Sequence, residues 1–161
     1  FTVMRLLLLL FSVLCFVDPS QDARNMTISP TSDYKKYCLK FLPRGGKTDY
    51  LHVSKGSVGD RGFIVDFDPV CGSDSHWYSI VFPSEILLLS ITGGYLRAHP
   101  NGTVDTVQAV SDLAFWKLVK MGGLHVLESR DGRYLSGHRD DKVACTVPRL
   151  EQRELFWLVK V

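Results

Sequence analysis

Residues 93–105 read Gly93-Gly94-Tyr95-Leu96-Arg97-Ala98-His99-Pro100-Asn101-Gly102-Thr103-Val104-Asp105. A Gly-Gly turn opens the stretch, an aromatic-leucine pair starts a strand, Pro100-Asn101-Gly102 reverses the chain, and Val104 begins the return strand. The pattern is echoed on both sides, by Tyr50-Leu51 running to Val58 and by Tyr134-Leu135 running to Val143. The three tryptophans fall one per copy, at Trp77, Trp116 and Trp157. Each is read as opening the last strand of its copy and packing into the core. Spacings of 45 and 39 between the tyrosines, and 39 and 41 between the tryptophans, set a period of about forty residues.

Around these anchors the chain is all-β. Beyond residue 34 no long 3.6-residue apolar period occurs, while short runs rich in Val, Ile, Leu and aromatics recur between Gly, Pro, Asn and Asp. Twelve strands are predicted, in repeats spanning about 34–82, 86–120 and 124–161. Units of this length must share a core with their neighbours, and three blades are too few for a propeller. Three four-stranded units around one core make a β-trefoil, whose closed barrel also protects strand edges. The first repeat looks irregular, with an insertion loop assigned to Asp68-Pro69-Val70-Cys71-Gly72-Ser73.

The N-terminus reads as a targeting segment. Arg5 precedes an apolar run from Leu6 to Val17, the length of a secretory h-region and too short for a bilayer span. Residues 1–20 are assigned to a cleaved signal peptide, 21–33 to a polar leader and 34–161 to the folded domain. Secretion makes the cysteines informative. Cys15 leaves with the signal, and Cys38, Cys71 and Cys145 remain, enough for one disulfide with one thiol left over. Cys38 with Cys71, both in the first repeat, is the favoured pair. Two sequons, at Asn25 and Asn101, offer glycosylation sites, the second in a turn.

Composition narrows the function classes. A formal charge of +2 with scattered Lys and Arg gives no basic footprint for nucleic acid. No CxxC pair or HxxxH motif points to zinc, and no cofactor is expected. His99 and His138, each four residues after a repeat tyrosine, read as solvated loop residues. Asp74, Ser75 and His76 are contiguous, an arrangement that seldom forms a relay, and Asp140-Asp141 reads as a solvated turn. The expectation is a binding protein rather than an enzyme. Arg44, Lys47, Lys55 and Arg61, in first-repeat loops, are the candidate patch for a receptor or a sulfated glycan, although acidic neighbours such as Asp49 and Asp60 dilute it.

The opening stretch, together with Ser111-Asp112, resembles the first-repeat motif of the fibroblast growth factors. Gly123-Leu124-His125-Val126, Gly132-Arg133-Tyr134-Leu135 and Glu154-Leu155-Phe156 resemble that family's second repeat. The resemblance covers residues 86–161 and implies a growth-factor-like or cytokine-like ligand of a cell-surface receptor. The family's receptor-contacting tyrosine falls at Leu89, its downstream basic residue at Gln108 and its second-repeat cysteine at Leu155, so the resemblance extends to the scaffold. Gly132-Arg133-Tyr134-Leu135 with Glu154-Leu155-Phe156-Trp157 is also similar to the repeats of fascin-like trefoil domains, which bundle actin inside cells, a role that a secretory signal opposes. Two other readings are a trefoil lectin or protease inhibitor acting through an Asp68–Ser75 loop, and an extracellular scaffold self-associating through the odd cysteine. The Gln-x-Trp signature of ricin-type sugar-binding trefoils is absent.

Overall fold

The computed structural model describes residues 34–44, 46–57, 62–138 and 142–161. The signal-peptide and leader assignments, Asn25, Arg61, Val58 and the Asp140-Asp141 turn therefore lie outside the described residues. Twelve strands follow in three groups of four. The first group is β1 (Lys35–Arg44), β2 (Lys47–Ser57), β3 (Phe63–Asp68) and β4 (Trp77–Val81). The second is β5 (Ile86–Ser90), β6 (Tyr95–Ala98), β7 (Val104–Val107) and β8 (Trp116–Met121). The third is β9 (Leu124–Ser129), β10 (Tyr134–Gly137), β11 (Val143–Val147) and β12 (Phe156–Lys160). In each group one 3₁₀ turn precedes the last strand: Ser73–Ser75, Asp112–Ala114 and Gln152–Glu154.

The pairing is antiparallel throughout. β1, β4, β5, β8, β9 and β12 pair in succession, and β12 returns to β1, which closes a ring of six strands. The other six form three hairpins, β2–β3, β6–β7 and β10–β11. These meet one another at Ile64 with Asp105, Asp66 with Lys142, and Thr103 with Ala144. Gly102 makes one of these approaches possible. It sits at φ +90°, its carbonyl accepts the Cys145 N–H, and a Cβ there would lie 2.3 Å from Thr146 Cγ2.

Alternation places one residue set inside the ring. Leu39, Leu88 and Leu127 occupy matching positions on β1, β5 and β9, all at 2% exposure or less. Trp77 and Trp116 are fully buried, and each indole N–H donates to the leucine carbonyl of its own repeat, Leu51 and Leu96, at 3.0 Å. These bonds satisfy the one polar atom that a buried tryptophan brings into the core.

The third repeat differs from the sequence reading. Its matching position is Phe156, fully buried and 5.3 Å from Phe41, whereas Trp157 points outward. The 3₁₀ turn explains why: the inward aromatic comes two residues after the turn's last residue, at Trp77 after Ser75, Trp116 after Ala114 and Phe156 after Glu154. Ser75, Ala114 and Glu154 are themselves buried, and Glu154 Oε2 accepts the Glu151 N–H at 2.7 Å.

The insertion also sits elsewhere than expected. The Asp68–Ser73 connection has counterparts of equal span in Val107–Asp112 and Val147–Gln152. The extra residues lie in the β2–β3 hairpin: Leu51 pairs with Phe67, sixteen positions on, while Leu96 pairs with Thr106, ten positions on. The first-repeat counterpart of Val104 and Val143 is accordingly Val65, paired with Val53, and not Val58.

Cys38 on β1 is bonded to Cys71, with 6.2 Å between Cα atoms and 33 residues between them in sequence. The bond ties the β3–β4 connection to the barrel wall. A crosslink closing a loop of that length removes denatured-state entropy equivalent to about 4 kcal/mol. Among the described residues no helix is long and apolar enough to cross a membrane.

Candidate functional site

A lateral row of chemically mixed side chains runs from the β2–β3 hairpin onto the outer wall of the barrel. Asp68 on β3 pairs with Tyr50 on β2, Tyr50 pairs with Lys40 on β1, and Lys40 pairs with Trp157 on β12. Directly opposed residues of antiparallel strands project to one face. Here that face is the outer one, because Leu39, Phe41, Leu51 and Phe156 take the inner positions beside them. At strand spacings of about 4.8 Å the row is about 14 Å long.

Its geometry suits an aromatic platform. Trp157 is 36% exposed, and the Lys40 ammonium stands 5.7 Å from its ring centroid, within cation–π range. Tyr50 and Asp68 are half-buried, and Asp68 Oδ1 accepts the Val70 N–H at 2.7 Å, which fixes the carboxylate. An indole face, a phenol, an ammonium and a carboxylate thus follow one another on one face of four paired strands. Reading the tryptophans as core residues concealed this row; the adjacent aromatics Phe156-Trp157, of which only one can point inward, were the signal available in the sequence.

Of the residues expected to form a basic patch, Arg44, Lys47 and Lys55 fall on described strands, and Arg61 lies outside the described residues. Lys47 is exposed at the start of β2, with Arg44 its backbone partner, whereas Lys55 is eight residues further along the same strand, about 26 Å at the usual rise. Asn101 is exposed, and its Oδ1 accepts from the Thr103 N–H at 3.0 Å and the Thr103 hydroxyl at 2.7 Å. Cys145 is buried and unpaired, and burial pushes its thiol pKa up, which removes it from intermolecular chemistry in the folded state.

His99 is not a free loop residue. Its Nε2 lies 3.0 Å from Asp105 Oδ2, and the same carboxylate takes Arg97 at 2.8 and 2.6 Å. Burial works to raise the Asp105 pKa, and the bonds from Arg97 and His99 outweigh it and hold it below the usual carboxylate range. The first repeat has a parallel pair at the matching register, His52 Nδ1 to Asp66 Oδ1 at 2.7 Å. Both pairs brace hairpins. The contiguous Asp74, Ser75 and His76 form no relay: the Ser75 hydroxyl is buried and turned to the Val70 carbonyl at 3.4 Å.

Cys38, Cys71 and His76 bring their sulfur and ring-nitrogen atoms within 4.8 Å of one another. The disulfide takes both sulfurs out of that set, and one imidazole remains, which burial and then Lys36 bias to the neutral form.

No curated protein matches the sequence. Among solved structures the chain is similar to a salivary protein from Culex quiquefasciatus of the Cysteine and Tryptophan-Rich (CWRC) family. The TM-score is 0.68 at 15% identity, over 84% of this chain and 100% of that one. It is also similar to a GlcNAcα1-4Gal-releasing endo-β-galactosidase from Clostridium perfringens, with TM-score 0.63 at 17% identity, over 79% of this chain and 32% of that one. The chain thus spans about a third of the clostridial enzyme. At these identities the likeness is one of fold. The fascin-domain family model matches residues 78–158, just over half of the sequence, from the first residue after Trp77 to Leu158 on β12, and the chain belongs to the fascin-domain family.

Proposed function

We propose that this protein is a secreted, non-enzymatic β-trefoil that binds carbohydrate through the row Asp68, Tyr50, Lys40 and Trp157. The observation that carries the reading is the exposed Trp157 ring with Lys40 against it, in a repeat whose inward position is already filled by Phe156. An exposed indole on a rigid strand gives a pyranose an apolar face to stack on, while the neighbouring phenol, ammonium and carboxylate can exchange hydrogen bonds with ring hydroxyls. A row of about 14 Å accommodates a short oligosaccharide. The closed ring of six strands with three hairpins supports the trefoil assignment, and the disulfide and the leader-like N-terminus support secretion.

The growth-factor-like reading is not favoured. The position of that family's receptor-contacting tyrosine, Leu89, is 8% exposed and packed in an apolar cluster with Phe115 and Tyr95, so it presents no surface to a receptor. The inhibitor reading loses its long loop, since the Asp68–Ser73 connection matches its two counterparts in span.

A glycan array that includes heparin fragments and GlcNAcα1-4Gal-terminated chains tests the proposal. Wild-type protein is expected to bind at least one class, and Trp157→Ala to reduce that signal at least tenfold. A blank array, or equal binding by Trp157→Ala, overturns it.

A further inference from the structure

The inner ring holds a second feature. A cavity of about 150 Å³ opens at the barrel end where β4 turns into β5, and Lys35 is the one charged residue among those lining it. Its origin lies in the repeat. Positions two after the inward aromatics are Ser79, Leu118 and Leu158, all of which line the space. Where the second and third repeats supply a leucine, the first supplies a serine, and the missing isobutyl group leaves room beneath Ile86 and Leu88.

The rim is cationic. Two positions further along the same inner face come Val81, Lys120 and Lys160. Lys160 pairs with Tyr37, which lines the cavity, and Lys120 pairs with His125, whose ring stacks on Phe156 at 6.2 Å. Lys120 lies close enough to depress the His125 pKa, after burial. Lys35 lines the cavity itself, and the exposed Lys120 and Lys160 each sit two residues beyond the lining residues Leu118 and Leu158, while Glu85, in the nearby β4–β5 turn, is engaged by Arg130 at 2.8 and 2.9 Å.

We propose that the barrel mouth binds an aliphatic carboxylate of medium chain length, with its hydrocarbon tail in the space left by Ser79 and its carboxylate at Lys35, Lys120 and Lys160. A mostly apolar hole of this size takes a guest of about six carbons, and its open mouth lets a slightly longer chain reach the rim. Charge selects the head group: an anion is attracted to the three ammonium groups, a cation is repelled by them, and a neutral alcohol gains the apolar term alone.

Calorimetric titration of the protein with octanoate, octan-1-ol and octylammonium tests this site independently of the outer row. Octanoate is expected to bind at least tenfold more tightly than octylammonium. Ser79→Leu and Leu118→Phe, which fill the space, should each cut octanoate affinity at least tenfold, and Trp157→Ala should leave it unchanged. Lys35→Gln with Lys160→Gln should weaken octanoate several-fold and leave octan-1-ol as it was. Whichever filling variant keeps the wild-type unfolding midpoint decides the matter. Retained affinity in that variant, equal binding of octylammonium, or no octanoate binding below its micelle concentration overturns the proposal. If both variants unfold early, methyl NMR decides on wild-type protein: octanoate should shift the Leu88 and Leu118 methyl signals, and their constancy overturns it.

Discussion

Lys40 and Trp157 face each other across the β1–β12 pairing, with the ammonium 5.7 Å from the indole centroid and the whole contact on the outer wall. One position earlier, Phe156 is fully buried against Phe41. Neighbouring aromatics therefore have opposite roles, and their substitutions should separate. Phe156→Ala is expected to cost about 3–5 kcal/mol of stability through transfer and cavity terms, while Trp157→Ala stays within about 1 kcal/mol of wild type. Urea unfolding of the two variants checks this.

The indole N–H of Trp77 satisfies the buried Leu51 carbonyl, and Trp116 does the same for Leu96. Replacement by phenylalanine keeps most of the ring volume and removes the donor. Trp77→Phe is expected to destabilise by about 1–3 kcal/mol, the cost of a buried carbonyl left without its partner. Phe156, which makes no such bond, should tolerate Phe156→Leu with a loss set by volume alone. Denaturant midpoints at constant m-value test both.

The Arg97–Asp105–His99 cluster makes stability fall in acid. The Asp105 pKa is depressed in the folded protein, so its contribution is present above the ordinary carboxylate pKa and is lost as pH falls through the lower, folded value. Asp105→Asn should remove about 2 kcal/mol at neutral pH, and the gap from wild type should narrow as the pH falls below the ordinary carboxylate range and Asp105 takes up its proton. Unfolding free energy measured from pH 2 to pH 7 for both proteins gives the answer.

Reduction of Cys38–Cys71 should lower stability by about 4 kcal/mol, the loop-entropy value for this separation. Cys145, fully buried, should resist iodoacetamide until the protein unfolds and should form no intermolecular crosslink on a non-reducing gel. Rapid alkylation of Cys145 under native conditions would contradict its position in the core.

The strands were legible because turn chemistry and apolar runs are local signals. Thr92-Gly93-Gly94 and Arg130-Asp131-Gly132 do close hairpin ends, with Gly93 N–H donating to Ser90 and Gly132 N–H to Ser129 at 3.0 and 2.9 Å. What failed was phase and register. Counting tryptophans at a forty-residue period aligned Trp157 with Trp116, whereas the 3₁₀ turn sets the inward position one residue earlier. The sequence suggests extra residues in the Asp68–Ser73 loop, yet cross-strand pairing puts them in the β2–β3 hairpin. The Asp68, Tyr50, Lys40 and Trp157 row could not be read at all, since its members meet only through three separate strand registers.

Three indole N–H resonances supply the most direct measurement. Trp77 and Trp116 are buried and hydrogen-bonded, and Trp157 is exposed on the proposed carbohydrate platform. In a ¹H–¹⁵N spectrum titrated with the oligosaccharide identified on the array, the Trp157 indole signal should move in a saturable manner while the other two stay in place. A bound oligosaccharide that leaves the Trp157 signal unmoved would contradict the account.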